Sequence, residues 1–133
     1  MRRFKMEQIK IDQFAILSKE TTGDLKLGIS LGMGVDKQQR SVDVQLETKY
    51  AEANELKVLL QITCSFSVHP DDWSTMQKGD KMVLPKQFLA HLVMHTFGTA
   101  RGVLYCKTED TPYQRFILPP TNVEQLVEHD LEV

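Results

Sequence analysis

Residues 100–123 read ARGVLYCKTEDTPYQRFILPPTNV, and the order of features in this stretch decides the expected fold. The stretch starts inside a run with helical periodicity, bends at the polar residues 109–112 and returns through apolar residues 116–118. Two prolines follow, and proline cannot continue a helix because it lacks a backbone N–H. Asn122 then supplies a side chain that can N-cap another helix. The stretch therefore predicts a long helix, a turn, and a short last helix that carries Leu126, Val127 and Leu131 on its apolar side.

Four segments ahead of this stretch alternate apolar and polar residues, the pattern of strands with one covered face. They span residues 6–17, 25–31, 42–50 and 56–68. The glycines after residue 31 and the aspartate at 36 are expected to end the second strand. One-sided strands joined by short turns predict an antiparallel sheet with one wet face.

The cover for this sheet is expected from a helix over residues 85–107. Pro85 suits a first helical turn, and apolar residues recur after it at every third and fourth position. Each glycine in a helix lowers its propensity by about 1 kcal/mol relative to alanine. Close approach of another helix or of the sheet would compensate for that cost, and a kink at Gly98 would explain the glycines equally well. The small residues in question are Gly98, Thr99, Ala100 and Gly102.

The composition is that of an ordinary globular domain, with 133 residues of which 41% are hydrophobic and 26% charged, and one domain over residues 1–133 is expected. A formal net charge of -2 provides no cationic field for nucleic acid. The chain lacks the apolar run of a signal peptide or a membrane span, which predicts a cytoplasmic protein without membrane insertion. Cys64 and Cys106 lie in apolar segments far apart, which predicts buried reduced thiols.

Residues with potential chemistry lack a supporting motif. His91 and His95 lie four apart on the predicted helix, but a metal site needs a third ligand and the glutamate of the zinc protease motif is missing. Residues 28–34 are glycine-rich but lack the Gly-Lys-Ser/Thr ending of a phosphate loop. Residues 70–73 are interpreted as a turn with a packed tryptophan. No catalytic residue, metal or cofactor is predicted, since the other polar candidates fall on expected loops: His69, Asp71, Asp72 and Glu109.

The order and spacing of residues 100–123 resemble those of the SecB family of export chaperones. The matching features are the Ala100-Arg101 pair inside the first helix, the return stopped by prolines, and Asn122 two residues after Pro120. The resemblance extends over residues 6–131, although residues 73–97 align poorly. It implies an α+β fold in which a four-stranded antiparallel Greek-key sheet packs against one long and one short C-terminal helix. It also implies a homo-oligomer, a dimer of dimers, with the four small residues of the long helix at the subunit interface.

The same resemblance implies where other proteins bind. In the family, non-native polypeptides occupy apolar grooves formed by the first crossover loop, the second strand and the last helix. The loop corresponds here to residues 18–24, and the apolar side chains to Leu25, Leu27, Ile29, Leu31, Met33, Leu126, Val127 and Leu131. Acidic residues on the open sheet face dock the translocase motor ATPase in the family. The candidates here are Asp43 and Glu47, on the polar face of the third strand.

Three functions are compatible with these features. The first is an ATP-independent molecular chaperone that binds unfolded polypeptides, including preproteins kept competent for export, and catalyses no reaction on them. The second is a SecB-like module dedicated to one partner, of the toxin-antitoxin type. The third is a small-molecule-binding or metal-binding α+β domain with a site built from His69, His91 or His95. Long apolar grooves on an oligomer would favour a chaperone over an enzyme pocket.

Overall fold

The computed structural model describes residues 2–133. Its main sheet contains four long strands: β1 (Phe4–Ile16), β2 (Lys26–Asp36), β3 (Ser41–Glu52) and β4 (Glu55–Val68). All neighbouring strands are antiparallel, in the spatial order β1-β4-β3-β2. Tight turns join β2 to β3 and β3 to β4, whereas a crossover of residues 17–25 separates β1 from β2 and leaves β1 beside β4. This is the predicted Greek-key order.

The next part of the chain adds a short helix, a hairpin and the long helix. These elements are α1 (Pro70–Thr75), β5 (Gln77–Lys78), β6 (Lys81–Leu84) and α2 (Lys86–Lys107). Helix α2 packs against β3 and β4, as predicted, so the fold is α+β. Within residues 2–133 no helix combines the length and apolar character needed to cross a bilayer.

Helix α1 replaces the turn expected at residues 70–73. Pro70 stands in its first turn, and the Nδ1 atom of His69 accepts the Asp71 N–H at 3.2 Å. This side-chain cap and the proline together favour a helix start. Trp73 is buried, as predicted.

The C-terminal residues also differ from the prediction. Helix α3 is a single turn, Val123–Leu126, and the Asn122 side chain makes no capping hydrogen bond. Leu131 does not belong to this helix but to β7 (Leu131–Glu132), which pairs with β6. One isolated turn has little intrinsic stability, and the Met82 and Val133 main chains exchange hydrogen bonds of 2.8 and 2.9 Å that hold the chain end in the small sheet.

Strand β2 continues through the glycines that were expected to end it. Gly32 pairs with Gln45 and Gly34 with Asp43, so the strand reaches Asp36 with no register shift. Neither glycine has a positive φ. Because side chains alternate between the two faces of a strand, both glycines lie on the open face, where a missing side chain leaves no hole in the core.

Strand β1 keeps one apolar face by means of two β-bulges. Its register shifts between Met6 and Gln8 and again between Ile11 and Gln13. Each bulge adds one residue to β1, which matches the two places where apolar residues in the sequence are three apart instead of two. The residues aligned on the helix-covered face are Phe4, Met6, Ile9, Ile11, Phe14 and Ile16.

The core lies between the sheet and α2. Its largest fully buried side chains include Leu46, Ile62 and Phe66 from the sheet and Leu92 from α2. Both cysteines are free. Cys64 is buried as predicted, but Cys106 is exposed because it lies on the outer side of the last turn of α2.

Candidate functional site

The apolar row of β2 lies at the margin of the core. Leu27 is paired with Tyr50 and Leu31 with Leu46, so the row shares the face that α2 covers in β3. Strand β2 is an edge strand, with β3 on one side only, and α2 packs on β3 and β4. The predicted binding residues of this strand, together with Leu25 just before it, are half-buried: Leu25, Leu27, Ile29, Leu31 and Met33. They are therefore accessible from the side on which the backbone of β2 has no neighbour in the sheet.

The predicted binding residues near the C-terminus are separated from that row. Leu126 is 39% exposed, whereas Val127 is buried. Helix α3 packs on α2, and Leu131 is paired with Leu84 of β6. Of these three residues, Leu126 is the most accessible, because α3 is too short to align the three on one helical face.

The crossover from β1 to β2 is tied down at several points. One oxygen of Glu52 accepts the Thr21 hydroxyl at 2.9 Å and both the hydroxyl and the N–H of Thr22 at 2.6 and 2.9 Å. The Tyr113 hydroxyl donates to the Ser18 carbonyl at 2.6 Å. Hydrogen bonding, above all from the Thr22 hydroxyl, lowers the pKa of Glu52 to about 2. The predicted binding loop is therefore held in place by hydrogen bonds to Glu52 and Tyr113.

An apolar cavity lies beside this crossover and was not predicted. It has a volume of about 420 Å³ and its lining includes Ile16, Pro112 and Tyr113. Leu17, the next residue after Ile16, is 58% exposed. The adjacent pair Ile16-Leu17 breaks the alternation of β1, and this was the one signal in the sequence for an outward apolar residue here. The cavity itself could not be predicted, because the sequence does not show that the crossover lies beside residues 110–113.

The small residues of α2 divide between two faces. No heavy atom lies within 4 Å of a Cβ built on Gly98 or Gly102, so this face of the helix is open. Thr99 is half-buried and donates its hydroxyl to the His95 carbonyl at 2.9 Å. Ala100 is only 1% exposed, packed in the core of its own chain. It therefore cannot contribute to a subunit interface, in contrast to the prediction.

Two isoleucines of β1 add to this open helix face. Ile9 is 50% exposed and Ile11 is 42% exposed, although both lie on the side of the sheet that α2 covers. At either end of this stretch of β1, the Phe4 ring lies 5.5 Å from the His95 ring and the Lys107 ammonium lies 6.0 Å from the Phe14 ring, so Ile9 and Ile11 run alongside the part of α2 between them. The isoleucines consequently lie beside the turn of α2 that contains Gly98 and Gly102.

The predicted docking carboxylates differ in their surroundings. Asp43 is exposed on the open sheet face, opposite Gly34. Glu47 is half-buried and its carboxylate lies 3.2 Å from the Lys49 ammonium. A neighbouring cation offsets one of the two negative charges, so the pair forms a weak acidic surface.

Several groups considered for catalysis or metal binding have structural partners. Asp72 accepts the N–H and the Nε–H of Arg3, both at 2.8 Å. The His95 ring packs edge-on against Phe4 with centroids 5.5 Å apart. Burial raises the pKa of the Cys64 thiol, which disfavours its nucleophilic thiolate form. Over the described range, residues 2–133, no group of three potential metal ligands is brought together.

Comparison with known proteins connects this arrangement to one fold. No family model matches the sequence, and no curated protein matches it. A solved structure, the SecB-like chaperone of Mycobacterium tuberculosis in complex with a ChAD peptide from an antitoxin, matches with a TM-score of 0.54 and 16% sequence identity. The match covers 90% of this chain and 84% of the other. The fold is SecB-like.

The SecB-like fold accounts for the main elements that the sequence pattern predicted. The four-stranded antiparallel sheet and the helices of this chain match that fold. The region whose sequence aligned poorly with the family, residues 73–97, contains the end of α1, the strands β5 and β6 and the first part of α2.

Proposed function

We propose that this protein is a chaperone-type module that binds extended, non-native segments of other polypeptides. The main support for this proposal is the half-buried apolar row of β2, which lies on an edge strand with an unpaired backbone side. An extended chain can bond to such an edge while its alternate side chains contact the row. Apolar contacts contribute about 25 cal/mol per Å² buried and carry little sequence preference.

The proposed activity needs neither ATP nor a covalent step, and we propose that the protein is not an enzyme. Cytoplasmic location and export-competent preproteins as clients belong to the same proposal. The structurally similar mycobacterial chaperone was solved with a peptide of an antitoxin, which favours polypeptide ligands and supports a second candidate, a module dedicated to one such partner. Recovery of one stoichiometric partner, instead of many precursors, would distinguish that candidate from a general chaperone.

Suppression of aggregation tests the proposal. The purified protein, without ATP, is expected to slow light scattering by a chemically denatured model substrate at several-fold molar excess. The double variant Leu31→Gln with Met33→Gln should lose most of this activity, because two amides replace apolar contacts on the row. Ser30→Gln, on the opposite face of the same strand, should keep it. Absence of suppression by the parent protein, with circular dichroism confirming that it is folded, would contradict the proposal.

We further propose that the open face of α2, together with Ile9 and Ile11, packs against a second copy of the chain. The open space at Gly98 and Gly102 permits close approach of a partner helix, and the exposed isoleucines supply apolar area next to it. Gly98→Leu is expected to lower the mass measured by light scattering without loss of fold. Ala100→Leu should instead destabilise the monomer by about 1–3 kcal/mol, because Ala100 is in the core.

We also propose that Asp43 and Glu47, on the open sheet face, dock a translocase motor ATPase. The reversal of both charges, Asp43→Lys with Glu47→Lys, should abolish co-sedimentation with the motor ATPase if the open sheet face is the docking surface.

A further inference from the structure

A small cavity lies at the N-terminal end of α2. Its volume is about 280 Å³, and it is lined by Arg2, Gln87, Phe88 and His91. None of these residues is acidic. The cavity is slightly smaller than the roughly 300–1,000 Å³ of sites for drug-sized ligands, so it suits a single short side chain.

The backbone around Arg3 determines where Arg2 lies. The Arg3 N–H donates to the Asp72 carboxylate at 2.8 Å, and the Arg3 carbonyl accepts the His69 N–H at 3.0 Å. Neighbouring side chains of an extended segment point to opposite sides. Arg2 therefore lies on the same side as Phe4, whose ring packs against Phe88 with centroids 6.0 Å apart.

Arg2 has a buried donor without an acceptor. Its Nε atom is inaccessible to solvent and has no hydrogen-bond partner in the part of the chain that the structure describes. The guanidinium group is always charged and offers five N–H donors. Arg3 and Arg101 differ in this respect, because the Arg3 Nε–H donates to Asp72 and the Arg101 Nε–H donates to the Leu118 carbonyl at 2.6 Å. A ligand cannot reach an inaccessible atom, but the two Nη groups of Arg2 are not among the buried unpaired atoms and make no hydrogen bond within residues 2–133, so they are the Arg2 donors available to a ligand in the cavity.

The other polar groups of the cavity are also donors. Gln87 and His91 are four residues apart on α2 and therefore share a face of the helix. The amide of Gln87 has two N–H donors, and a histidine ring has at least one in either protonation state. The carboxylates close by have other partners: Asp72 binds Arg3, and Asp130 accepts the Lys86 N–H at 2.8 Å.

We propose that this cavity is a carboxylate-binding site that takes an acidic side chain of a bound polypeptide. A carboxylate has the two acceptor oxygens that a planar guanidinium group binds side by side. Gln87 and His91 would donate to the same oxygens, and Phe88 contacts the aliphatic part of the acidic side chain. The choice of a polypeptide as the source of the carboxylate rests on the proposed function, whereas the carboxylate chemistry rests on the cavity alone.

Acetate tests the chemistry without any polypeptide. In nitrogen-15-labelled protein, the Arg2 Nε–H and the Gln87 side-chain amide resonances are expected to shift saturably with sodium acetate and not with sodium chloride at equal ionic strength. Arg2→Met should abolish the saturable shift of the Gln87 amide. Lys5→Met, a matched loss of one positive charge at an exposed residue on the opposite side of β1, should retain it. No saturable shift in the parent protein would overturn the proposal.

Two labelled peptides test the source of the carboxylate. They share a host of alternating leucine and serine and differ only by Glu or Gln at the centre. The parent protein should bind the Glu peptide roughly fivefold more tightly or better, as expected for a charge-assisted bond in a partly buried site. Arg2→Met should bind both peptides alike. If neither peptide binds while acetate still shifts Arg2, the proposed polypeptide-binding function fails and the carboxylate site stands. If the parent protein binds both peptides with equal affinity, an acidic side chain is not the ligand of this cavity.

Discussion

The two edge strands of the sheet, β1 and β2, are built differently although each carries an apolar row on the side of α2. Strand β2 pairs with β3 over all of its 11 residues without a register shift, whereas two bulges interrupt the pairing of β1 with β4. The β2 row is half-buried along its length. In β1 the ends of the row are half-buried and the middle residues, Ile9 and Ile11, are exposed.

The comparison indicates that an edge strand can pair with an added strand when its backbone is regular. The number of apolar residues on the edge matters less. A regular edge presents evenly arranged N–H and C=O groups, whereas a bulge disrupts the ladder and bends the strand. The proposed division of roles follows: β2 binds extended polypeptides through its backbone and its row, and β1 contributes apolar side chains to a subunit contact.

The largest expected effect comes from making β2 irregular. Insertion of one alanine between Ser30 and Leu31 would turn Leu31, Met33 and Val35 to the open face or force a bulge, because side chains alternate along a strand. The free energy of unfolding should fall by more than about 2 kcal/mol, measured by urea denaturation.

The matched change in β1 removes a bulge. Deletion of Gln8 leaves Met6 opposite Phe66 and Ile9 opposite Cys64, the pairs that exist now, so every apolar residue keeps its face. Stability should change by no more than about 1 kcal/mol. A deletion as costly as the β2 insertion would show that the two edges do not differ in their tolerance of register changes.

A smaller effect is expected from truncating one anchor on each edge. The Phe4 ring packs edge-on against Phe66 and Phe88 at centroid distances of 5.8 and 6.0 Å. Phe4→Ala should destabilise the protein by about 2 kcal/mol, less than for a fully buried phenylalanine because Phe4 is half-buried. Met33→Ala should cost about 1 kcal/mol. Equal losses in thermal or urea unfolding would contradict the expectation that Phe4 stabilises its edge more than Met33 does.

The smallest effect concerns the crossover that joins the two edges, and it depends on pH. The pKa of Glu52 is lowered from 4.5 to about 2, first by the Thr22 hydroxyl. A group with a lowered pKa in the folded state stabilises that state above its unfolded pKa. Its contribution should therefore be complete above about pH 4.5 and decline as the pH falls towards about 2.

Glu52→Gln isolates that contribution. The variant should be less stable than the parent at neutral pH, and the difference in the free energy of unfolding should shrink through the same acidic range. Asp72, whose pKa Arg3 lowers, is present in both proteins and cancels in the difference. If the difference in the free energy of unfolding between the two proteins stays constant with pH, the charge of Glu52 does not stabilise the crossover.

Much of the fold could be predicted from local patterns. Alternation identified all four long strands, and spacing of three and four residues identified α2, because these periods follow from strand and helix geometry. The bulges of β1 could also have been read from the sequence, since its apolar residues come in pairs separated by an extra residue. Helix α3 was predicted too long because pairing of Leu131 with Leu84 is a long-range contact that no local pattern announces.

The candidate surfaces were less predictable than the fold. The sequence pattern identified the β2 row, but Ala100 and Gly98 look alike in sequence as small helical residues and differ completely in burial. No local pattern singles out Arg2, because its place in the cavity depends on the position of α2 beside β1.

The amino-acid sequence by itself determined which face of each strand is apolar and where α2 begins and ends, because alternation, helical spacing and proline act through neighbouring residues. Only the tertiary structure decided which apolar and charged side chains remain accessible. That outcome depends on α2 covering β3 and β4, which leaves both edges partly open and places Gln87 and His91 beside Arg2.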